Sequence, residues 1–145
     1  MSPKVFAPQE VQTWFAANPA GVYVDVRTVA EFAAGHPRGK IVNIPIVFYH
    51  PTTREIFANQ SFLLVTEAFY PKETPIIVGC DTGERARQAA QQLLEVGYTD
   101  VSVLQDGFTA WRQLKLPTTT DNRDGISYVS LLTKVKQKGK KKAAH

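Results

Sequence analysis

The 145-residue sequence has very little cysteine and no long apolar run. Its single cysteine, Cys80, cannot form a disulfide within the chain, which is typical of proteins in a reducing compartment. No apolar segment approaches the roughly 20 residues that a membrane-spanning helix needs. The opening residues, MSPKVFAPQEVQ, lack the apolar centre of a secretory signal. We therefore expect a cytoplasmic protein without a membrane span.

Acidic residues are absent from the last 20 positions, which carry six lysines. The formal net charge of the chain is +4, so residues 1–125 have a formal charge of −2 once these lysines are set aside. The basic segment is either a solubilising tail or a docking arm for an acidic partner, RNA or a membrane surface. Charge alone does not distinguish these interpretations.

The remaining composition is that of one ordinary globular domain. Hydrophobic residues make up 43% of the chain and charged residues 21%. A chain of this length is long enough to bury a substantial core within a single domain.

The segment around Cys80 has the pattern of a strand, a loop and a helix. Residues 75–79 form a short apolar run bounded by proline, as in a buried parallel strand. From Glu84 the apolar residues recur with helical spacing, and Gly97 is placed to end the helix. The predicted apolar face consists of Ala86, Ala89, Ala90, Leu93 and Leu94.

This arrangement favours nucleophilic chemistry at Cys80. A loop that closes onto a helix N-terminus collects unpaired backbone N–H groups, and helix N-termini make a thiol easier to ionise. The competing interpretation is that a lone cysteine beside a strand is a small buried hydrophobe. Gly83 within the loop and Arg85 after it favour the functional interpretation.

Three blocks of the sequence resemble the rhodanese family of single-domain sulfurtransferases. CDTGERA resembles the family's active-site loop, a six-residue loop that begins with a cysteine and ends with an arginine. VYVDVRTVAEFAAGH followed by NIP, and VSVLQDGFTAWRQLKLP, resemble two further blocks in the right order. The resemblance covers roughly residues 5–117. It implies a three-layer α/β/α fold with a central parallel sheet of about five strands, consistent with alternating strands and helices.

The domain organisation follows from this resemblance. We assign residues 1–117 to a rhodanese-like domain, and residues 118–145 to a linker, a short helix and a lysine-rich C-terminal tail. Asp106 stands where the family usually has glycine, and aspartate tolerates such turn conformations.

The resemblance also implies the reaction. A sulfurtransferase would move sulfane sulfur from thiosulfate or a persulfide to a thiol or cyanide acceptor, through a persulfide on the loop cysteine. The family's pattern assigns Cys80 and Arg85 as catalytic, Asp81, Thr82, Gly83 and Glu84 as the active-site loop, and Asp25 and Arg27 as framework. Its partners would be a small sulfur donor and a thiol acceptor, or a protein carrying either group. We expect no metal and no cofactor.

Other functions remain open at this point. Cysteine-dependent phosphatases use a similar loop, but typically with five residues between the cysteine and the arginine, whereas this chain has four. Arsenate reduction is a further minor alternative. A third is a non-catalytic binding module of the same fold that acts through its basic tail.

The loop carboxylates bear on the choice of donor. Like charges oppose binding of a dianion, and one unit pair at about 5 Å costs roughly 3 kcal/mol at an effective dielectric near 20. If Asp81 or Glu84 points inward, we expect modest activity with thiosulfate and a persulfide as the working donor.

Outside the loop, we predict helices over 5–18 and 29–34, the latter with a Thr28–Glu31 capping box, and strands over 22–26 and 41–47. Residues 48–54 are expected to be a loop whose Phe48, Tyr49, His50 and Arg54 form a substrate rim.

The second half of the chain continues the alternation. We predict a helix ending at Phe69, a strand over 101–104, a helix over 108–114, a linker over 117–125, and an amphipathic helix from Ile126 to Val135. The lysine run after it is expected to lack regular structure at its end. His36 is expected to have a structural or solvated role rather than a catalytic one.

Overall fold

The computed structural model describes residues 3–143, with side chains for residues 3–138. The strands are β1 Lys4–Phe6, β2 Val22–Asp25, β3 His36–Pro37, β4 Ile41–Asn43, β5 Val47–Tyr49, β6 Ile56–Ala58, β7 Ile76–Gly79, β8 Val101–Leu104 and β9 Thr118–Thr119. Five of them form a parallel sheet at the centre, in the order β1-β8-β7-β2-β4.

Helices cover both faces of this sheet. They are α1 Val11–Ala17, α2 Val29–Ala34, α3 Phe62–Phe69, α4 Glu84–Glu95, α5 Gly107–Gln113 and α6 Tyr128–Ala143. Side chains of α1, α2 and α5 form one core cluster with one face of the sheet, and those of α3, α4 and α6 form a second cluster with the other face. The predicted three-layer α/β/α architecture is confirmed.

The central strands carry apolar residues on both faces because both faces are covered. Every residue of β2, β7 and β8 is buried. Val24 lies between Val42 and Val78 across the three strands. This register brings the carboxyl ends of β2 and β7 to the same edge of the sheet.

The N-terminal segment differs from the predicted helix over residues 5–18. Residues 4–6 form β1, which pairs with β8, and a 3₁₀ turn over Pro8–Glu10 leads into α1. A partner strand about 100 residues away in sequence decides this conformation, and local helical spacing does not reveal it. The α2 capping box, by contrast, forms as predicted, with the Thr28 hydroxyl accepting from Glu31 N and Glu31 accepting from Thr28 N.

The segment expected to be a loop after residue 47 is a β-hairpin. Strands β5 and β6 pair antiparallel, with Phe48 opposite Phe57 and Tyr49 opposite Ile56. The predicted strand over 41–47 is accordingly divided between β4 and β5. The missed signal was the apolar Ile56 and Phe57, which supply the second strand.

The segment predicted as a linker is also partly ordered. Strand β9 pairs with β3, and the indole N–H of Trp111 donates to the carbonyl oxygen of Pro117 at 2.8 Å. Helix α6 then continues through the lysine run to Ala143, where we expected the end to lack regular structure. The proposed division at residue 117 stays a prediction.

Helix α6 belongs to the second core cluster. Tyr128 and Leu131 are buried there, while Leu132 and Val135 pack against it. Val129 of the same helix is 61% exposed. None of the helices within residues 3–143 has the length and apolarity required to cross a bilayer.

Candidate active site

Cys80 lies where β7 ends, at the carboxyl edge of the sheet, and only 1% of its surface is exposed. Its Sγ accepts hydrogen bonds from Gly83 N at 2.9 Å and Ala86 N at 3.4 Å. Both donors belong to the start of α4, which runs for 12 residues. The sulfur therefore sits against the positive end of a helix dipole, as the sequence pattern predicted.

The loop also presents backbone donors that the protein leaves free. Within the described part of the chain, the N–H groups of Asp81, Thr82, Glu84 and Arg85 donate to no protein acceptor. Helix N-termini bind anions through such groups. The loop can therefore stabilise negative charge beside Cys80.

Gly83 gives the loop its shape. Its φ of +111° lies in a region that residues with a Cβ rarely adopt, and it is the N-cap residue of α4. This conformation turns Gly83 N toward Cys80 Sγ.

Helix α5 holds the other side of the loop. Phe108 N donates to the Cys80 carbonyl at 2.8 Å, and Thr109 N donates to the Asp81 carbonyl at 3.1 Å. The approach is so close that a Cβ on Gly107 would fall 2.3 Å from the Cys80 carbonyl oxygen. Asp106 precedes it with φ of +56°, so the aspartate adopts the left-handed turn conformation as expected.

Arg85 binds Glu31 of α2 rather than Cys80. Its two terminal nitrogens lie 2.7 and 3.0 Å from the two Glu31 carboxylate oxygens. Its guanidinium carbon also lies 5.9 Å from the centre of the Tyr49 ring. Arg85 therefore braces the loop against α2 and the hairpin.

The ion pair between Glu31 and Arg85 shifts the pKa values of both groups. Burial acts to raise the pKa of the Glu31 carboxyl, but hydrogen bonds from Arg85 and Thr28 outweigh it and lower that pKa from 4.5 to about 2. Hydrogen bonding to Glu31 likewise raises the pKa of Arg85 above its ordinary value. Both groups are charged at neutral pH.

Asp25 and Arg27, which the family pattern assigned to the framework, form a buried ion pair at the end of β2. Arg27 donates from Nε and Nη2 to the Asp25 carboxylate, with a shortest distance of 2.8 Å, and from Nη2 to the Gly35 carbonyl at 2.7 Å. The amide of Asn43 donates to the carbonyl oxygens of both residues. These contacts fix the β2 end next to the loop.

The remaining loop residues have different exposures. Thr82 and Glu84 are exposed, so the expected repulsion of a dianion finds no support at Glu84. Asp81 is partly buried and lines an open cavity of about 210 Å³. The cavity's other lining residues are Arg27, Glu31, Ala34, Gly35, Phe108 and Arg112.

The predicted rim is only partly assembled. Tyr49, His50 and Arg54 line a second cavity of about 400 Å³, together with Pro51. Phe48 instead turns toward α6, with its ring centre 6.1 Å from that of Tyr128. The structure thus removes Phe48 from the rim.

His36 is structural, as expected. It is buried and stacks on Phe32 with ring centres 3.8 Å apart. Its two ring nitrogens lie 2.9 Å from the Pro37 carbonyl oxygen and 2.7 Å from that of Asp121. Residues 3–138 contain no group of three or more His, Cys, Asp or Glu side chains placed to hold a metal ion.

Sequence reasoning missed four residues of the site. Glu31 was recognised only as a helix-capping residue, Asn43 only as part of a motif, and Phe108 and Arg112 only as helix positions. Each lies on a different element from the Cys80 loop, so only long-range packing places it in the site.

The comparisons agree with this geometry. A family model described as "Rhodanese-like domain" matches residues 7–114. The chain is 35% identical over 95 residues to the senescence-associated protein DIN1 of Raphanus sativus, covering 66% of this chain and 50% of that protein. The chain therefore spans half the length of that relative.

In two further comparisons, the match extends over nearly the full length of the other protein. Thiosulfate sulfurtransferase GlpE of Haemophilus influenzae strain PittEE is 35% identical over 120 residues, or 83% of this chain and 98% of that protein. The crystal structure of Rv0390 from M. tuberculosis superposes with a TM-score of 0.70 over 83% of this chain and all of that one, at 24% identity. The second similarity supports the fold alone.

Proposed function

The chain belongs to the rhodanese-like domain family, and from this premise we propose that it is a sulfurtransferase that carries sulfane sulfur on Cys80. The observation that carries the proposal is the surroundings of the sulfur: two N–H groups donate to Cys80 Sγ, and four more in the same loop are free. Relatives named thiosulfate sulfurtransferase, at about 35% identity, support the same class of reaction.

In the first half-reaction, the Cys80 thiolate attacks the outer sulfur of the donor. With thiosulfate, the sulfur–sulfur bond of the donor breaks and its electron pair leaves with sulfite. Cys80 is left as a persulfide anion whose terminal sulfur carries the negative charge. The free N–H groups of the loop are suited to stabilise that charge.

In the second half-reaction, an acceptor removes the sulfur. A thiolate or cyanide attacks the terminal sulfur, and the bond between the two sulfurs breaks with its electron pair returning to Cys80. The products are a new persulfide or thiocyanate and the starting thiolate. The exchange is balanced without a metal, a redox cofactor or another oxidant.

Arg85 acts in this proposal as a positioning residue. Its guanidinium is held by Glu31, so Arg85 braces the loop and does not bind the transferred sulfur. This placement argues against phosphatase chemistry, in which the loop arginine must face the oxyanion. The four-residue spacing between Cys80 and Arg85 argues the same way.

Intact mass spectrometry tests the persulfide directly. Reduced protein would be incubated with thiosulfate or with a small-molecule persulfide, beside the Cys80→Ser variant. We expect a cyanide-removable gain of one sulfur, about 32 Da, on the wild type only. No adduct from either donor, with the thiol shown to be reduced and accessible to a small alkylating reagent, would rule the proposal out.

A further inference from the structure

We infer that Arg112 is a specificity-determining residue that binds the oxyanion end of the sulfur donor in the cavity beside the Cys80 loop. The oxyanion is the sulfonate of thiosulfate or the carboxylate of a small persulfide, two sources of one chemistry. The inference rests on the proposed function and deepens it by assigning the class of donor.

The cavity lies beside the loop that begins at Cys80. Asp81, the residue after Cys80, lines it, as do Phe108 and Arg112 from α5. Its volume of about 210 Å³ is enough for a group of several heavy atoms, since one water occupies about 30 Å³ in the liquid. A donor whose outer sulfur meets Cys80 can therefore place an attached anionic group here.

The charges around the cavity leave Arg112 as its available cation. Arg27 is neutralised by Asp25, and Glu31 is neutralised by Arg85. Across residues 3–138, Arg112 forms no hydrogen bond or ion pair, so its guanidinium donors are free. An arginine with free donors matches the planar, two-oxygen face of a sulfonate or carboxylate.

The Phe108 ring gives this cation a defined position. The guanidinium carbon of Arg112 lies 5.0 Å from the ring centre, and that of Arg27 lies 4.5 Å from the same centre. Stacking on an aromatic ring holds the guanidinium without using its N–H donors. Both guanidinium groups therefore contact the same aromatic ring, and all three residues line the cavity.

Asp81 makes this arrangement necessary for an anionic donor. Asp81 lines the same cavity, and its negative charge opposes a second one there. Arg112 offsets that carboxylate, so an anionic donor meets no net negative potential from this pair. Without Arg112, the cavity would favour donors that lack an anionic group.

Donor-dependent kinetics test the inference. Sulfur transfer to cyanide would be measured with thiosulfate, with the persulfide of 3-mercaptopropionate, which carries a carboxylate, and with the persulfide of 2-mercaptoethanol, which carries none. The variants are Arg112→Gln, Arg112→Lys and the matched control Arg87→Gln, which removes an exposed arginine of α4 outside the cavity.

We expect Arg112→Gln to lower kcat/KM about tenfold for one or both anionic donors, mainly through KM, as expected for loss of a charge-assisted hydrogen bond. Loss with thiosulfate alone assigns the sulfonate, and loss with the carboxylate persulfide alone assigns the carboxylate. Arg112→Lys should recover part of the loss. The kcat/KM of Arg112→Gln with the 2-mercaptoethanol persulfide should stay within about twofold of the wild-type value, and so should the kcat/KM of Arg87→Gln with every donor.

An equal loss with all three donors would assign Arg112 a structural role and overturn the inference, as would no loss with any. In both cases wild-type transfer would leave the proposed function standing. If the wild type transfers sulfur from none of the donors, the proposed function fails and takes the inference with it.

Discussion

At the residue scale, the surroundings of Cys80 Sγ depend on two residues that never react. Gly83 supplies the shorter of its two N–H hydrogen bonds, from a backbone conformation that favours glycine. Glu31 holds Arg85 against the loop from the opposite helix. Changing either residue should alter the loop without touching the thiol.

Gly83→Ala should lower both stability and sulfur transfer. A φ of +111° strains any residue with a Cβ, at a cost of about 1–3 kcal/mol, and relief of that strain would turn the Gly83 N–H away from Cys80. Denaturant unfolding and the rate of persulfide formation measure the two effects. Gly97→Ala is the matched control, because Gly97 has a φ of +105° at the other end of α4 and nothing within 4 Å of an added Cβ. It should lose stability alone; equal loss of transfer in both variants would contradict the role of Gly83.

Glu31→Gln should remove a stabilisation that depends on pH. The pKa of Glu31 in the folded protein is about 2, below its ordinary 4.5, so its ion pair stabilises the fold fully above pH 4.5 and progressively less as the pH falls toward 2. After allowance for solvent screening of this partly exposed pair, we expect the variant to be less stable by about 1 kcal/mol at pH 7.

The free energy of unfolding of the wild type and of Glu31→Gln would be measured from pH 7 to pH 2. We expect the two values to converge at the acid end. Glu67→Gln is the control, because its pair with Lys72 is more exposed and should contribute less. A difference between wild type and Glu31→Gln that is constant with pH would contradict the assignment.

At the element scale, the loop is clamped between α4 and α5. Helix α4 presents its N-terminus to the sulfur, and α5 donates two N–H groups to the carbonyl oxygens of Cys80 and Asp81. A second connection joins β3 to β9 through His36. The position of these elements relative to one another decides the shape of the site.

Gly107→Ala should separate α5 from the loop. The new Cβ would fall 2.3 Å from the Cys80 carbonyl oxygen and 2.7 Å from that of Asp81, and backbone atoms cannot move aside as a flexible side chain would. We expect a loss of about 2 kcal/mol in stability, measured by denaturant unfolding, together with slower sulfur transfer, measured by donor kinetics. Asp106→Gly is the control: it relieves a left-handed conformation at the neighbouring residue and should be neutral or stabilising by up to about 1 kcal/mol. Wild-type kinetics in Gly107→Ala would contradict the clamp.

His36→Phe should loosen the segment around β9. Phenylalanine can stack on Phe32 as the imidazole does, but it loses both polar contacts of the ring, including the one to the Asp121 carbonyl. We expect a loss of about 1–2 kcal/mol and faster amide exchange in residues 118–121. Exchange in α4 serves as the internal control; uniform acceleration across the chain would show a global effect instead.

At the scale of the whole molecule, the C-terminal segment takes part in the core. Tyr128 of α6 accepts a hydrogen bond from the buried Asn59 amide at 3.1 Å, and Leu131 packs in the same cluster as Cys80. The helix that carries the lysine run therefore packs on the same face of the sheet as Cys80.

Leu131→Ala should be destabilising, whereas Val129→Ala should not. Leu131 is 2% exposed and its truncation leaves a cavity, at a cost of about 2–5 kcal/mol. Val129 lies two residues away in the same helix and is 61% exposed, so we expect a change within about 0.5 kcal/mol. Thermal or denaturant unfolding distinguishes the two, and equal stability of both variants would show that α6 does not stabilise the domain.

The sequence by itself determined the central elements and the reactive loop. Continuous apolar runs identified β2, β7 and β8, and helical spacing identified α4, because these patterns follow from burial on both faces of a sheet and on one face of a helix. The Cys80 loop could be located because its sulfur and its helix N-terminus are neighbours in sequence.

Only the tertiary structure decided which distant residues meet that loop. β1 and the β5–β6 hairpin form through strand pairing that local propensity does not encode. Glu31 is 54 positions from Arg85, and their contact exists because parallel strands bring α2 and α4 to one edge of the sheet. Arg112 lines the cavity for the same physical reason. The sequence determines the charge of each side chain, but the packing of the elements determines the distance between two charges.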